Sequence, residues 1–129
     1  MTHRTVILTE GHSNPHSAKT ACSVIRYCPE QVVAVLDSTE AGRSCQDLLG
    51  VGGDLPVIGS LDQAPDADRL MIGIAPPGGK IPDSWRPIVV QALQRGMSVI
   101  SGLHDFLSDD PEFLAMAQRH GVELIDVRR

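Results

Sequence analysis

The sequence predicts an α/β fold, a doubly wound parallel sheet of about six strands with helices on both faces, and three observations carry that expectation. Short β-rich runs alternate with amphipathic helical windows along the chain, the mark of βα units building a parallel sheet. Most of those runs are continuously apolar, as befits strands covered on both faces. The apolar mass is aliphatic: 42% of the 129 residues are hydrophobic but only 3% are aromatic, a balance usual for parallel sheets. The length suits one domain over residues 1–129, able to bury roughly two-thirds of its unfolded surface in one core.

The strands are expected at Thr5 to Thr9, Val32 to Asp37, Pro56 to Gly59, Arg69 to Ala75, Ser98 to Ser101 and Glu123 to Val127. Between the first two, Ala21, Val24, Ile25 and Cys28 share one helical face that ends before Pro29, with Ser17 as the expected N-cap. Ala41, Cys45, Leu48 and Leu49 repeat the spacing, and Gly50 stands where a left-handed C-terminal residue is wanted. Leu61 to Ala64, before Pro65, has room for one helical turn. Trp85, Ile88, Val89, Ala92 and Leu93 make the strongest apolar stripe, with Asp83 or Ser84 as cap and Pro87 in the first turn, where its missing N–H costs little. A last helix is expected from Pro111, capped by Asp110, to the end signal Gly121.

Right-handed crossovers then favour the strand order 3-2-1-4-5-6, a Rossmann-like arrangement. Its chain reverses direction between strands one and four. Ligands of open α/β sheets lie in the crevice at that point, beyond the carboxyl ends of the strands.

A net charge of −5 disfavours nucleic acid, which calls for a clustered basic surface. Cys22, Cys28 and Cys45 are odd in number and have no C-x-x-C spacing, so they read as buried thiols in a reducing, cytoplasmic compartment rather than a disulfide framework or zinc site. No apolar run approaches the ~20 residues that span a bilayer, and Met1-Thr2-His3-Arg4 runs straight into a strand with no export signal.

Three loops meet at the expected rim. The first, Gly11 to Ser17, enters a helix whose N-terminus attracts anions, with Lys19 and Thr20 in its first turn. Ser13 and Ala18 stand where a P-loop has glycine, and G-x-G-x-x-G is absent too; the loop either touches an anionic ligand or is an ordinary helix start. Asp37, 26 residues after Gly11, either reaches a ribose hydroxyl or, with Ser38 and Thr39, caps the next helix. The second loop, Pro76-Pro77-Gly78-Gly79-Lys80, pairs rigid with permissive residues; its glycines admit a ligand or merely satisfy a turn. The third is Ser101-Gly102-Leu103-His104-Asp105, where His104 is an acid–base candidate or a local partner of Asp105. His12 and His16 have metal-ligand spacing, but no third ligand is evident and no metal site is assigned. Arg128 and Arg129 read as an exposed terminus or the start of a linker.

Six segments, VILTEG at 6–11, AKTA at 18–21, VLDSTEAGR at 35–43, IGIAPPGG at 72–79, SGLHDFLSDDPE at 101–112 and DVRR at 126–129, together resemble the two-domain family, long catalogued as uncharacterised, that includes D-glutamate N-acetyltransferase. The resemblance covers nearly the whole chain and falls on the family's N-terminal Rossmann-like domain. It implies acetyl-CoA-dependent acylation of an amino acid, with a larger C-terminal P-loop domain as the partner of this one. It also implies matching rim positions at Asp37, Ser38, Gly78, Gly79, Gly102 and His104.

Two functions follow as expectations. In the first, the domain binds a small molecule, acetyl-CoA or a nucleotide, through Gly11, Ser17, Lys19, Thr20, Asp37, Ser38, Pro76, Gly78, Gly79, Ser101, Gly102 and His104. In the second, it is a non-catalytic module that docks the P-loop partner or a second copy of itself. An oxidoreductase is disfavoured by the missing glycine fingerprint. The contents of the crevice discriminate: open space beside glycines supports binding, whereas bulky side chains support docking.

Overall fold

In the computed structural model, which describes residues 3–128, six parallel strands form one sheet in the order β3-β2-β1-β4-β5-β6. They are β1 Thr5–Leu8, β2 Val32–Leu36, β3 Val57–Ile58, β4 Arg69–Ile72, β5 Ser98–Ser101 and β6 Leu124–Asp126. Every expected strand is present in the expected order, each somewhat shorter than its apolar run or equal to it. β1 and β2 are buried along almost their whole length, the burial their unbroken apolar runs require. Arg129 lies outside the described residues, as do Met1 and Thr2.

Four helices connect the strands: α1 Lys19–Tyr27, α2 Cys45–Leu49, α3 Arg86–Gln94 and α4 Pro111–His120. α1 lies beside α2, with the Cys22 thiol 3.7 Å from the Leu49 carbonyl, and α3 packs along α4. Because right-handed crossovers run one way from β1 through β3 and the other way from β4 through β6, these two pairs cover opposite faces. The core is largely aliphatic, with Trp85 and Phe113 its largest fully buried side chains, each worth roughly 1.5–3 kcal/mol of burial.

Helix boundaries depart from the sequence expectations in three places. α1 is capped by Ala18, without a side-chain bond, rather than by Ser17. The Ser17 N–H instead donates to Asn14 Oδ1 at 2.8 Å, and the Asn14 carbonyl accepts from the Ala18 N–H at 2.9 Å. α2 begins four residues later than Ala41, because Gly42 turns the chain with φ +92° and Ser44 then supplies the cap to the Asp47 N–H. Neither Asp83 nor Ser84 caps α3; a 3-10 turn over Asp83–Trp85 leads into it instead. Two expectations hold in detail. Asp110 caps α4 by accepting from the Phe113 N–H, and Gly50 and Gly121 end their helices in the left-handed conformation.

Candidate functional site

The first rim loop is organised by one buried carboxylate. Asp37 follows β2 and has no solvent exposure. It accepts from the Ser13 hydroxyl at 2.5 Å, from the Thr39 N–H at 2.9 Å and from the Thr39 hydroxyl at 2.6 Å, and the Gly11 N–H adds a fourth bond. With its single proton committed to Asp37, the Ser13 hydroxyl accepts from Thr9 Oγ1 at 2.7 Å. Burial pushes the Asp37 carboxyl up, but the bonds from Ser13, Thr39 and Gly11 outweigh it and hold the group below the usual carboxylate range. Beside it, Glu10 accepts from the Ser38 N–H at 2.7 Å and from the Ser38 hydroxyl. Asp37 and Ser38 therefore tie the loop after β2 to the loop after β1, and Asp37 caps the local turn at Thr39 rather than helix α2.

The entrance to α1 is similarly occupied. The Ala21 N–H donates to the Gly73 carbonyl at 3.1 Å, so a donor of the first turn is spent on the end of β4. Gly73 makes that approach: a Cβ there would stand 2.4 Å from Ile7 Cγ2 and 3.1 Å from both Ala21 Cβ and Thr9 Cγ2. Lys19 and Thr20 are exposed on the first turn of α1. Across the switch point, the His12 ring meets the buried Trp85 indole edge to face, with centroids 6.1 Å apart. The β1–β4 end of the rim is thus closed by an aromatic pair.

The loops after β4 and β5 clasp each other. Gly79 has φ +75°, and a Cβ on it would fall 2.9 Å from His104 Cβ; its carbonyl accepts from the Asp105 N–H at 3.2 Å. Gly78, at φ +80°, faces open space, and Pro76 accepts the Gly79 N–H at 3.1 Å. Ser101 is buried, its hydroxyl accepting from the Leu103 N–H at 3.1 Å. The Gly102 carbonyl accepts from Arg128 Nε at 2.5 Å. At the end of β6, the Asp126 carboxylate takes the Leu107 N–H at 2.7 Å, the Ser108 N–H at 3.1 Å and the Ser108 hydroxyl at 2.7 Å. Asp126 and Arg128 fix the β5 loop from beneath.

Between these two loops and the start of α4 lies an open cavity of about 470 Å³, within the range of small-molecule sites. Ile81, Leu103, Phe106, Leu107 and Phe113 form its apolar wall, and Lys80, Asp83, Arg86, His104, Asp105, Asp109 and Asp110 its polar lining. Arg86 is engaged by two carboxylates: Nη1 donates to Asp110 at 2.7 Å, and Nη2 to Asp110 at 3.1 Å and Glu112 at 2.6 Å. Its guanidinium also lies 4.3 Å from the centre of the Phe113 ring. The Arg86 hydrogen bonds hold the Asp110 carboxyl below the usual range, and the two carboxylates push the guanidinium still higher. Lys80 is only 3.9 Å from Asp105 and is 79% exposed. The Asp83 and His104 side chains have no partner among the described residues. A smaller cavity of about 160 Å³, lined in part by Val33, Ala34, Ile58 and Pro65, lies over β2 and β3.

The expected site residues thus divide into groups. Gly11, Asp37 and Ser38 come together, but as a mutual lock; Ser17, Lys19 and Thr20 stand apart at the head of α1. Pro76, Gly78, Gly79, Ser101, Gly102 and His104 gather at the neighbouring loops, and of these His104 lines the larger cavity. Sequence reasoning missed Glu10 and Ser13 as loop partners, Gly73 as the close-approach glycine, and Arg86 and Asp83 as cavity residues. The Ser13–Asp37 bond and the salt-bridge partners of Arg86 were hidden because they join residues far apart in the chain. The three cysteines are free thiols, and burial pushes Cys45 up to about 11 and also raises Cys22. Among the described residues no helix is long and apolar enough to cross a membrane.

Comparison with known proteins follows the same outline. The chain is 46% identical over 66 residues to a D-glutamate N-acetyltransferase from Tritonibacter scottomollicae and 37% identical over 62 residues to another from a Pseudoalteromonas species, matching 51% and 48% of this chain. These matches span 20% and 19% of the two enzymes, about a fifth of their length. A crystal structure of a DUF1611 family protein from Anabaena variabilis superposes on 99% of this chain and 37% of its own, with a TM-score of 0.87 and 35% identity. A homoserine dehydrogenase from Thiobacillus denitrificans, 22% identical, covers 97% of this chain and 29% of its own with a TM-score of 0.57, a likeness of fold alone. Residues 38–129 match the model of a domain of unknown function described as Rossmann-like, DUF1611_N, and the chain belongs to that family.

Proposed function

We propose that this chain is the N-terminal, ligand-contributing domain of an amino-acid N-acetyltransferase-like enzyme, and that its ligand sits in the β4–β5 cavity rather than in the coenzyme crevice between β1 and β4. The observation that carries this reading is the contrast between the two places. The crevice is closed by Trp85 and His12, and the Ala21 N–H that would greet a phosphate is spent on Gly73, whereas the cavity offers about 470 Å³ with the unpartnered His104 on its lining. Acylation of an amine requires the ammonium to lose a proton. The His104 imidazole accepts it, the nitrogen lone pair forms the bond to the acetyl carbon, and the bond from that carbon to its carrier breaks. Acetyl-CoA supplies the acetyl group in this scheme. Its polyanionic nucleotide end does not belong against a lining with four aspartates and two cations, and fits the C-terminal P-loop domain that the family resemblance implies. The free cysteines suit the reducing cytoplasm in which we place it.

Thermal-shift measurements with D-glutamate, acetyl-CoA, CoA, ATP and NAD test this, repeated on Ile81→Trp, which fills the cavity. A ligand at 100 times its dissociation constant stabilises by about 2.7 kcal/mol. A shift that Ile81→Trp abolishes supports the cavity; a shift with NAD or ATP that survives it returns the ligand to the crevice. The filled crevice also favours a second reading, a module that docks a P-loop domain or a second copy of the chain. Binding of none of these compounds, with the separately produced P-loop domain co-eluting in size-exclusion chromatography, establishes that one instead.

A further inference from the structure

The crossovers that put α1 and α2 on one face of the sheet and α3 and α4 on the other leave part of the first face bare. Side chains alternate along a strand, so Leu70, Val99 and Leu124, which pair across β4, β5 and β6, share one face, and Met71, Ile100 and Ile125 share the other. The Val99 side is the one that α3 and α4 cover: Leu70 and Val99 are fully buried, Leu124 packs on the core, and Asp126 takes the Leu107 and Ser108 N–H groups before α4. The Ile100 side belongs to α1, because Met71 pairs with Ile7 and a Cβ on Gly73 would meet both Ile7 and Ala21. Beyond β4 that cover ends. Met71 still packs on the core, but Ile100 and Ile125 do not join it among the described residues. Beside them stand an exposed Gly102, whose Cβ would lie 3.4 Å from Val127 Cγ2, and Val127 itself, 60% exposed. The opposite end of the sheet is finished within the chain. There residues 42–44 run along the outer edge of β3, the Gly42 N–H donating to the Val57 carbonyl at 3.0 Å and the Val57 N–H to the Arg43 carbonyl at 3.3 Å.

We infer that a helix from the further part of the longer family protein seats on the bare face of β5 and β6, over Ile100, Gly102, Ile125 and Val127. The inference rests on the reading of this chain as one domain of a longer enzyme, and not on where the ligand binds. Strands of a parallel sheet are covered on both faces, and a helix roughly 10 Å across matches two strands about 4.8 Å apart. Size selects the occupant. Two strands wide and about four residues long, the patch is on the order of 200 Å², whereas each partner in a stable complex of separate molecules buries about 800 Å². A second copy of the chain is not held by so small a face. A segment of the same polypeptide is, because the connection supplies an effective concentration that two separate molecules lack. The family has that polypeptide: the Anabaena protein superposes on 99% of this chain with only 37% of its own length.

Hydroxyl-radical footprinting, which reads side-chain exposure, tests this on the 129-residue chain and on the longer Anabaena protein. Ile100, Ile125 and Val127 are expected to be modified in the chain alone, and the residues superposed on them are expected to lose that modification in the longer protein. Ile100→Glu combined with Ile125→Glu gives a second measurement. In the chain alone the pair is expected to lower Tm by less than about 5 °C; the same pair at the superposed positions of the longer protein, by placing two carboxylates under a helix, is expected to lower it by roughly 10 °C or more. Equal modification in the two proteins, or equal losses of Tm, overturns the inference. So does a dimer of the chain in sedimentation that the pair of substitutions dissolves, which gives the face to a second copy. The D-glutamate thermal shift and its Ile81→Trp control read the cavity separately, so neither result here decides that reading.

Discussion

Replacing Asp37 by asparagine tests whether one carboxylate holds the first rim loop. The wild-type group is fully buried and accepts four hydrogen bonds, from Ser13, from the Thr39 N–H and hydroxyl, and from Gly11. Asparagine keeps one oxygen but turns an amide NH2 toward donors. Ser13 can reverse its hydroxyl to meet that amide, since a hydroxyl both donates and accepts, but no such reversal is open to a backbone N–H. The substitution therefore loses the charge assistance of several bonds and strands one donor, a cost of about 2–3 kcal/mol. For a domain of this size that lowers Tm by roughly 10 °C. The pH dependence supplies a second readout. Because the folded pKa of Asp37 lies below its unfolded value, the carboxylate contributes its full stability above the unfolded pKa of about 3.9 and loses it as pH falls through the lower folded value. The gap between wild type and Asp37→Asn in urea unfolding is thus full at pH 7 and closes in strong acid, while the Gly11 and Thr39 amides lose hydrogen-exchange protection in the variant. A gap under about 1 kcal/mol at pH 7, or one that does not narrow in acid, refutes the lock.

Two further substitutions probe the parts of the rim that packing and charge hold together. Gly73→Ala inserts a Cβ 2.4 Å from Ile7 Cγ2 where three elements meet, and is expected to cost about 3 kcal/mol or more by overpacking; Gly78→Ala meets only open space at φ +80° and is expected to cost about 1 kcal/mol in backbone strain, so equal losses in denaturant unfolding would contradict the packing argument. Arg86→Met removes the bonds to Asp110 and Glu112 and the guanidinium above Phe113, and is expected to cost about 1–2 kcal/mol at low salt. Part of that cost should disappear at 1 M salt, which screens the exposed Glu112 arm; a salt-independent loss would assign the effect to packing alone.

How far the sequence reaches is clearest where a signal is local. The strand order follows from unbroken apolar runs and the handedness of crossovers, and Asp110 and Gly121 announce α4 because a cap and a left-handed stop act on residues within one turn. The misplaced starts of α1 and α2 have equally local causes that pattern reading passes over. Asn14 competes for the Ser17 N–H, and a positive φ at Gly42 ends the turn before a helix can begin. What stays hidden is pairing between segments far apart in the chain. Nothing near Ser13 says that its hydroxyl belongs to a carboxylate 24 residues on, and nothing near Arg86 names Asp110 as its partner 24 residues away.

The glycines show why the site itself was harder to place than the fold. A glycine-rich rim reads equally well as access for a ligand or as access for protein, since the missing Cβ admits either. Here the protein takes most of the space. Gly73 admits α1 and β1, and Gly79 admits His104; only Gly78 of the paired glycines faces open space. With Trp85 against His12 at the switch point, the crevice that the topology would offer a coenzyme is filled from both sides. The room left at the carboxyl ends of the strands is one loop further along, between β4 and β5. Packing decides where the room lies: Trp85 is buried against His12 at the switch point, the loops after β4 and β5 line the cavity, and the chemistry of any ligand there is set by the charges those loops carry.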